Sequence, residues 1–200
     1  MTHADTYLAL GDSYTIGEAV PAPGRWPVQL AIRLGWNAPT LVAQTGWTTD
    51  ELSLAIDAAP LAGRYDRVSL LIGVNNQYRG RTVANYAAEF RVLLDRAIAF
   101  AEGDAARVFV VSIPDWGVTT FAARDGRGRA RIGREIDAFN AAARTICEQH
   151  GVVFVDITPT SRDHGGDPAM LAEDGLHPSA AMYARWVDDI VHTLPVVVAG

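Results

Sequence analysis

The sequence has one cysteine, no surplus of positive charge and no long apolar run, and each of these shortages removes a class of protein. Cys147 has no intrachain partner, so no disulfide framework is available; it falls where an amphipathic helix would bury it, and a buried thiol is expected. Lys and Arg number 17 against 23 Asp and Glu, for a formal charge of -6, so no chain-wide positive field draws phosphate backbones or anionic lipid. Neither nucleic acid nor a membrane is expected as a partner. No stretch approaches the ~20 apolar residues of a membrane span. The first apolar stretch, Tyr7 to Leu10, is too short for a signal-peptide core and runs straight into a motif that the fold itself needs, so cytoplasmic residence is expected.

The chain has 200 residues, 49% hydrophobic and 20% charged, which is the composition of a globular protein able to bury one core. No repeat, linker or compositional seam divides it, so residues 1–200 are expected to form a single domain.

Short apolar runs alternate with longer stretches of helical period, the pattern of a parallel sheet with crossover helices. Strands are expected at Thr6 to Leu10, Thr40 to Ala43, Arg67 to Ile72, Arg107 to Ile113 and Val152 to Ile157. The last three are nearly continuous in Val, Leu, Ile and Phe, as strands covered on both faces are. Tyr86, Phe90, Leu93, Leu94, Ala97 and Ile98 recur at three- and four-residue spacing, as do Ile132, Ile136, Phe139, Ala143, Ile146 and Cys147, so each set predicts a long amphipathic helix. Shorter helices are expected at Pro27 to Leu34, Thr49 to Ala58 and Ala180 to Leu194, the second capped by Thr48 or Thr49. The stretches Asp115 to Arg131 and Pro159 to Ser179 show no clear period. Arg124, Arg127, Arg129, Arg131 and Arg134 form a basic cluster with interleaved glycines, read either as a solvated loop or as an anion site.

In an open parallel sheet the loops leaving the carboxyl ends of the strands hold the chemistry. Gly11-Asp12-Ser13-Tyr14 leaves the first expected strand. A serine at a strand-to-helix turn can present its hydroxyl there, although the same tripeptide also serves as an ordinary capped turn. Asp12 is expected to support the turn by local hydrogen bonds. Near the other end stands Asp174-Gly175-Leu176-His177-Pro178. One turn can hold the Asp174 carboxylate against a ring nitrogen of His177 while the other nitrogen points away, which makes an oriented base. Gln44-Thr45-Gly46 closes the second strand and Gly73-Val74-Asn75-Asn76 the third. The backbone N–H groups of Ser13 and Gly46 and the amide of Asn75 can therefore converge on a developing oxyanion.

These four blocks, in this order, resemble the SGNH/GDSL hydrolase family, and the resemblance covers nearly the whole chain. It implies a flavodoxin-like three-layer α/β/α fold with a five-stranded parallel sheet in the order 2-1-3-4-5. It implies a serine esterase without metal or cofactor, acting on small-molecule ester substrates. Ser13 is then the nucleophile, His177 the base and Asp174 its orienter, with Ser13, Gly46 and Asn75 as oxyanion-hole donors. Two departures, Tyr14 where the usual signature has Leu and Asn76 where many members carry Asp, bear on substrate preference and leave every reacting group in place.

The loops Val20 to Trp26 and Asp115 to Arg131 are short for a large lid, which favours small or short-chain acyl groups. Trp47, Asn76 and Trp116, with Trp26, are candidates for a substrate pocket or for packing. Asp163, His164, Asp167, Asp174 and His177 crowd one stretch, but their spacing matches no compact ligand set, so no metal is expected. His3, His150 and His192 are read as peripheral. Acyl transfer to an alcohol through the same triad, or silent binding of an acylated ligand, are the alternative functions.

Overall fold

The computed structural model describes residues 3–194. Its centre is a five-stranded parallel sheet in the order β2-β1-β3-β4-β5, formed by β1 (Tyr7–Gly11), β2 (Thr40–Ala43), β3 (Arg67–Leu71), β4 (Val108–Val111) and β5 (Val153–Val155). Strand pairing runs Leu10 to Val42 on one side and Leu10 to Leu70, Leu70 to Val110 and Val110 to Phe154 on the other. Every residue of β1 and β4 is buried, as the unbroken apolar runs require, whereas the edge strands β2 and β5 keep partly exposed positions. The expected strand order and all five strand positions stand, trimmed by one or two residues at most ends.

The crossover helices are α2 (Trp26–Leu34), α3 (Thr49–Ala58), α5 (Val83–Phe100) and α7 (Arg129–His150), and α9 (Ala180–Thr193) follows the last strand, each close to its expected span. The apolar stripes of α5 and α7 are buried at the expected positions, Cys147 among them, with Ile98 half-buried. Four further helices are too short to write a period into the sequence: α1 (Ser13–Ile16), α4 (Val74–Tyr78), α6 (Ala122–Asp125) and α8 (Thr158–His164). The two aperiodic stretches are thus largely ordered into single turns and short helices. The arginine cluster is not one solvated loop: Arg129, Arg131 and Arg134 lie on the first turns of α7, and Gly128, at φ 82, sets the entry to that helix.

Of the two places open to Trp26, a pocket or packing, the structure shows packing. Trp26 is fully buried at the start of α2, edge-on to Phe109 of β4, and belongs to the core. Because all five strands run the same way, their carboxyl ends open at one edge, and the segments that leave β1, β2, β3 and β4 meet there.

Candidate active site

Ser13 is the first residue of α1, immediately beyond β1. Asp12 forms the corner by accepting the Tyr14 N–H on its Oδ1 at 3.0 Å, while its own carbonyl accepts from Thr15 and Ile16. This corner leaves the Ser13 N–H unspent, with no acceptor among the described residues.

His177 and Asp174 form one compact unit. Asp174 Oδ2 lies 2.6 Å from His177 Nδ1, and its Oδ1 accepts the N–H groups of Leu176 and His177, each at 2.9 Å. Partial burial disfavours the Asp174 anion, but the bonds from the His177 ring and those two N–H groups outweigh it and hold the carboxyl below its usual range. The unit is pinned from behind. The Ala172 N–H donates to the His177 carbonyl at 2.7 Å, Leu171 bridges to Pro178, and Ser179 caps α9. Tyr14 packs edge-on against the imidazole, with ring centroids 5.6 Å apart, so this departure from the usual signature supplies a wall for the histidine.

Gly46 has φ 88, a left-handed conformation that glycine adopts freely, and its N–H meets no acceptor among the described residues. Asn75, on the first turn of α4, donates one amide hydrogen to the Trp47 carbonyl at 2.9 Å, which orients the side chain and leaves the second hydrogen uncommitted. At Gly73, φ is 128 and a Cβ would stand 2.5 Å from the Tyr86 ring, so only glycine can turn the chain from β3 into α4 here.

Ser13, Gly46, Asn75 and His177 line one cavity of about 240 Å³, together with Tyr14, Thr45, Val74, Tyr78, Trp116, Phe121 and Leu176. No hydrogen bond joins the Ser13 hydroxyl to His177 among the described residues, and such bonds commonly tighten only when substrate is bound. The far wall is aromatic. Trp116 is held by its Nε1–H, which donates to Gln77 Oε1 at 2.9 Å; Gln77 in turn donates to Glu135 of α7. Tyr78 and Phe121 meet Trp116 edge-on, and the Arg127 guanidinium lies over both Tyr78 and Trp116 while pairing with Asp125.

Of the four candidates for pocket or packing, Trp116 lines the cavity and Trp26, Asn76 and Trp47 do not. Asn76 is fully buried beneath α3, where its Oδ1 accepts the Thr49 N–H and its amide donates to Thr49 Oγ1. Adjacent residues of a helix point about 100° apart, so Asn75 and Asn76 cannot share a face. Trp47 packs its ring against the core and offers its carbonyl to Asn75. No motif in the sequence assigns Tyr78 or Phe121 to the cavity, and Val74 and Leu176 enter only as members of the motif blocks. Tyr78 had a signal, since it lies three residues after Asn75 and α4 brings both to one side. Of the other polar residues near His177, Asp167 caps the turn at 168–170, and Asp163 and His164 close α8.

Residues 9–185 match the GDSL-like lipase/acylhydrolase family. No curated protein sequence matches closely enough to count as a relative. Among solved structures the chain is similar to TesA, at 22% identity over 94% of this chain and 97% of that one, with TM-score 0.72. It is similar to phospholipase A1 from Streptomyces albidoflavus NA297, at 20% identity over 95% and 99% of the two chains, with TM-score 0.70. It also resembles an acetylxylan esterase from Geobacillus stearothermophilus, at 19% identity over 97% and 95%, with TM-score 0.72. At these identities the likeness establishes the fold. In the described residues no helix is long and apolar enough to cross a membrane.

Proposed function

The chain belongs to the GDSL-like lipase/acylhydrolase family and is a carboxylic ester hydrolase, and from that premise we propose that it works as a single catalytic domain through Ser13, His177 and Asp174 on small or short-chain acyl esters. The observation that supports this reading is the shared cavity. Residues from the two ends of the sequence, Ser13 and His177, line it together with Gly46 and Asn75 from the middle.

In this reading Ser13 Oγ attacks the ester carbonyl carbon as its proton passes to His177 Nε2. Nδ1 donates to Asp174, which fixes the tautomer and stabilises the imidazolium. The carbonyl oxygen becomes an oxyanion, met by the unspent N–H groups of Ser13 and Gly46 and the second amide hydrogen of Asn75. Collapse breaks the bond to the leaving oxygen, which takes the proton from His177 and departs as the alcohol. Water then attacks the acyl-Ser13 ester, giving its proton to His177, and the acid leaves as Ser13 regains its hydrogen. A cavity of about 240 Å³, closed by a braced Trp116, suits short acyl chains.

The test is a series of p-nitrophenyl esters of increasing acyl length, run with the wild type and Ser13→Ala. Activity should be highest with acetyl to butyryl esters and decline with longer chains, and the variant should lose on the order of 10⁶ in kcat. Turnover by Ser13→Ala near that of the wild type would remove the nucleophile assignment, and a preference for long chains would remove the size assignment.

A further inference from the structure

We propose that Arg79, a residue outside the cavity, is a positioning residue that holds the Gly46 donor of the oxyanion hole in place; the inference rests on the esterase reading above. Gly46 has the backbone freedom of glycine and little around it. If a Cβ is built there, the single heavy atom it comes near is Arg79 Nη2, at 4.0 Å. Packing therefore does not fix the direction of its peptide groups, and hydrogen bonds must do so.

Those bonds come from the turn itself, where the Trp47 N–H donates to the Gln44 carbonyl at 3.3 Å, and from one face of α4. Arg79 follows the last residue of that helix, and its N–H donates to the Asn75 carbonyl at 3.0 Å, which places the two side chains one turn apart. From there Asn75 Nδ2 reaches the Trp47 carbonyl and Arg79 Nη2 reaches the Gly46 carbonyl at 2.7 Å, so the two peptide groups that follow the Gly46 Cα are held from a single helix and the Gly46 N–H is anchored from its C-terminal side. The other arm of the guanidinium, Nη1, donates to Glu51 Oε1 at 3.1 Å, and Glu51 Oε2 accepts the Thr48 N–H at 2.8 Å. Residues 46, 47 and 48 are thus tied in succession, and Arg79 with Glu51 closes the ring that joins the loop before α3 to the helix bearing Asn75. Both hole donors contributed by the middle of the chain are set in one frame.

The Arg79 and Glu51 side chains remain 44% and 38% exposed, and an ion pair so exposed contributes little to stability. Loss of Arg79 should therefore affect catalysis far more than folding, which separates positioning from general support. A two-armed donor is also needed: a lysine can reach the Gly46 carbonyl or Glu51 but cannot bridge them in a fixed fork.

The experiment compares wild type, Arg79→Ala, Arg79→Lys and Glu51→Gln on p-nitrophenyl acetate, with inhibition by an alkylboronic acid, which forms a tetrahedral anion on the nucleophile, and with thermal unfolding. Arg79→Ala should lower kcat by about 10- to 100-fold, short of the loss of a donor itself, with KM within about twofold. Boronate affinity should fall by a similar factor, with Tm nearly unchanged, and Arg79→Lys should fall between alanine and wild type. Glu51→Gln keeps a cap for α3 and should produce a smaller loss of the same kind, which serves if Arg79→Ala does not fold. Unchanged kcat, a loss carried by KM, or undiminished boronate affinity would each overturn the inference. A wild type that turns over esters independently of Ser13 would instead overturn the reading on which it rests.

Discussion

Asp12→Asn exchanges one buried oxygen for an amide in the corner that carries Ser13, and its effect on stability follows from the surroundings of that carboxyl. Asp12 is 0% exposed; one oxygen accepts the Tyr14 N–H and the other has no partner among the described residues. Burial pushes the carboxyl up to about 7, and the neighbouring backbone N–H groups, that of Tyr14 first, offset only part of the cost. Tyr14, Tyr86 and Tyr183, whose environments include Asp12, are themselves pushed up by burial and stay neutral near neutral pH. In the unfolded chain the same carboxyl ionises near pH 3.9. Between these values the folded state binds more protons, so this contribution is fully present below about pH 4 and is lost as pH rises towards about 7. The full displacement corresponds to ~4 kcal/mol, of which about 3 kcal/mol falls between roughly pH 4.5 and pH 8. Asparagine carries no charge at either pH. Urea unfolding of both proteins at the two pH values should therefore show the stability gap moving in favour of Asp12→Asn by about 3 kcal/mol on going to the higher pH. A gap that stays constant would refute the claim that a buried, poorly partnered carboxylate sits beside the proposed nucleophile.

Asn75→Ala should lower kcat by about 10²–10³ with little change in KM if, as proposed, the amide acts on the oxyanion; steady-state kinetics on p-nitrophenyl acetate would show it. A change confined to KM would reassign Asn75 to ground-state binding. Asp174→Asn should lower kcat by about 10⁴ by disturbing the tautomer of His177, and a loss below tenfold would contradict that role. Trp116→Ala should shift the acyl preference to longer chains. Trp116 and Leu176 also line a second cavity of about 20 Å³, and truncation would join it to the first. The same change should cost about 3–5 kcal/mol of stability, measured by denaturant unfolding, and an unaltered chain-length profile would show that Trp116 does not end the acyl site.

What the sequence made legible follows the length scale of its signals. The buried strands and the long helices α5 and α7 announce themselves because many residues repeat one period, and the expected sheet order stands in the structure. The residues proposed to react sit in short blocks, Ser13 just after β1 and the Asp174–His177 pair just before α9, and those blocks carry the resemblance. Features that depend on the direction of a single side chain were not legible. Asn75 and Asn76 are neighbours of the same type, yet a helix only five residues long sends one to the cavity and the other beneath α3. Arg127 reads as part of a basic loop, but its position over Tyr78 and Trp116 depends on folding of the segment 116–128. The use of Arg79 to hold Gly46 joins residues from two loops, and no local pattern encodes it.

The proposed ester chemistry requires that Ser13 be the group that attacks the acyl carbon, with His177 as its base. A fluorophosphonate probe followed by peptide mass spectrometry tests this directly. The adduct should appear on the peptide containing Ser13 in the wild type, form far more slowly in His177→Ala and be absent from Ser13→Ala. An adduct on another residue, or undiminished labelling without His177, would contradict it.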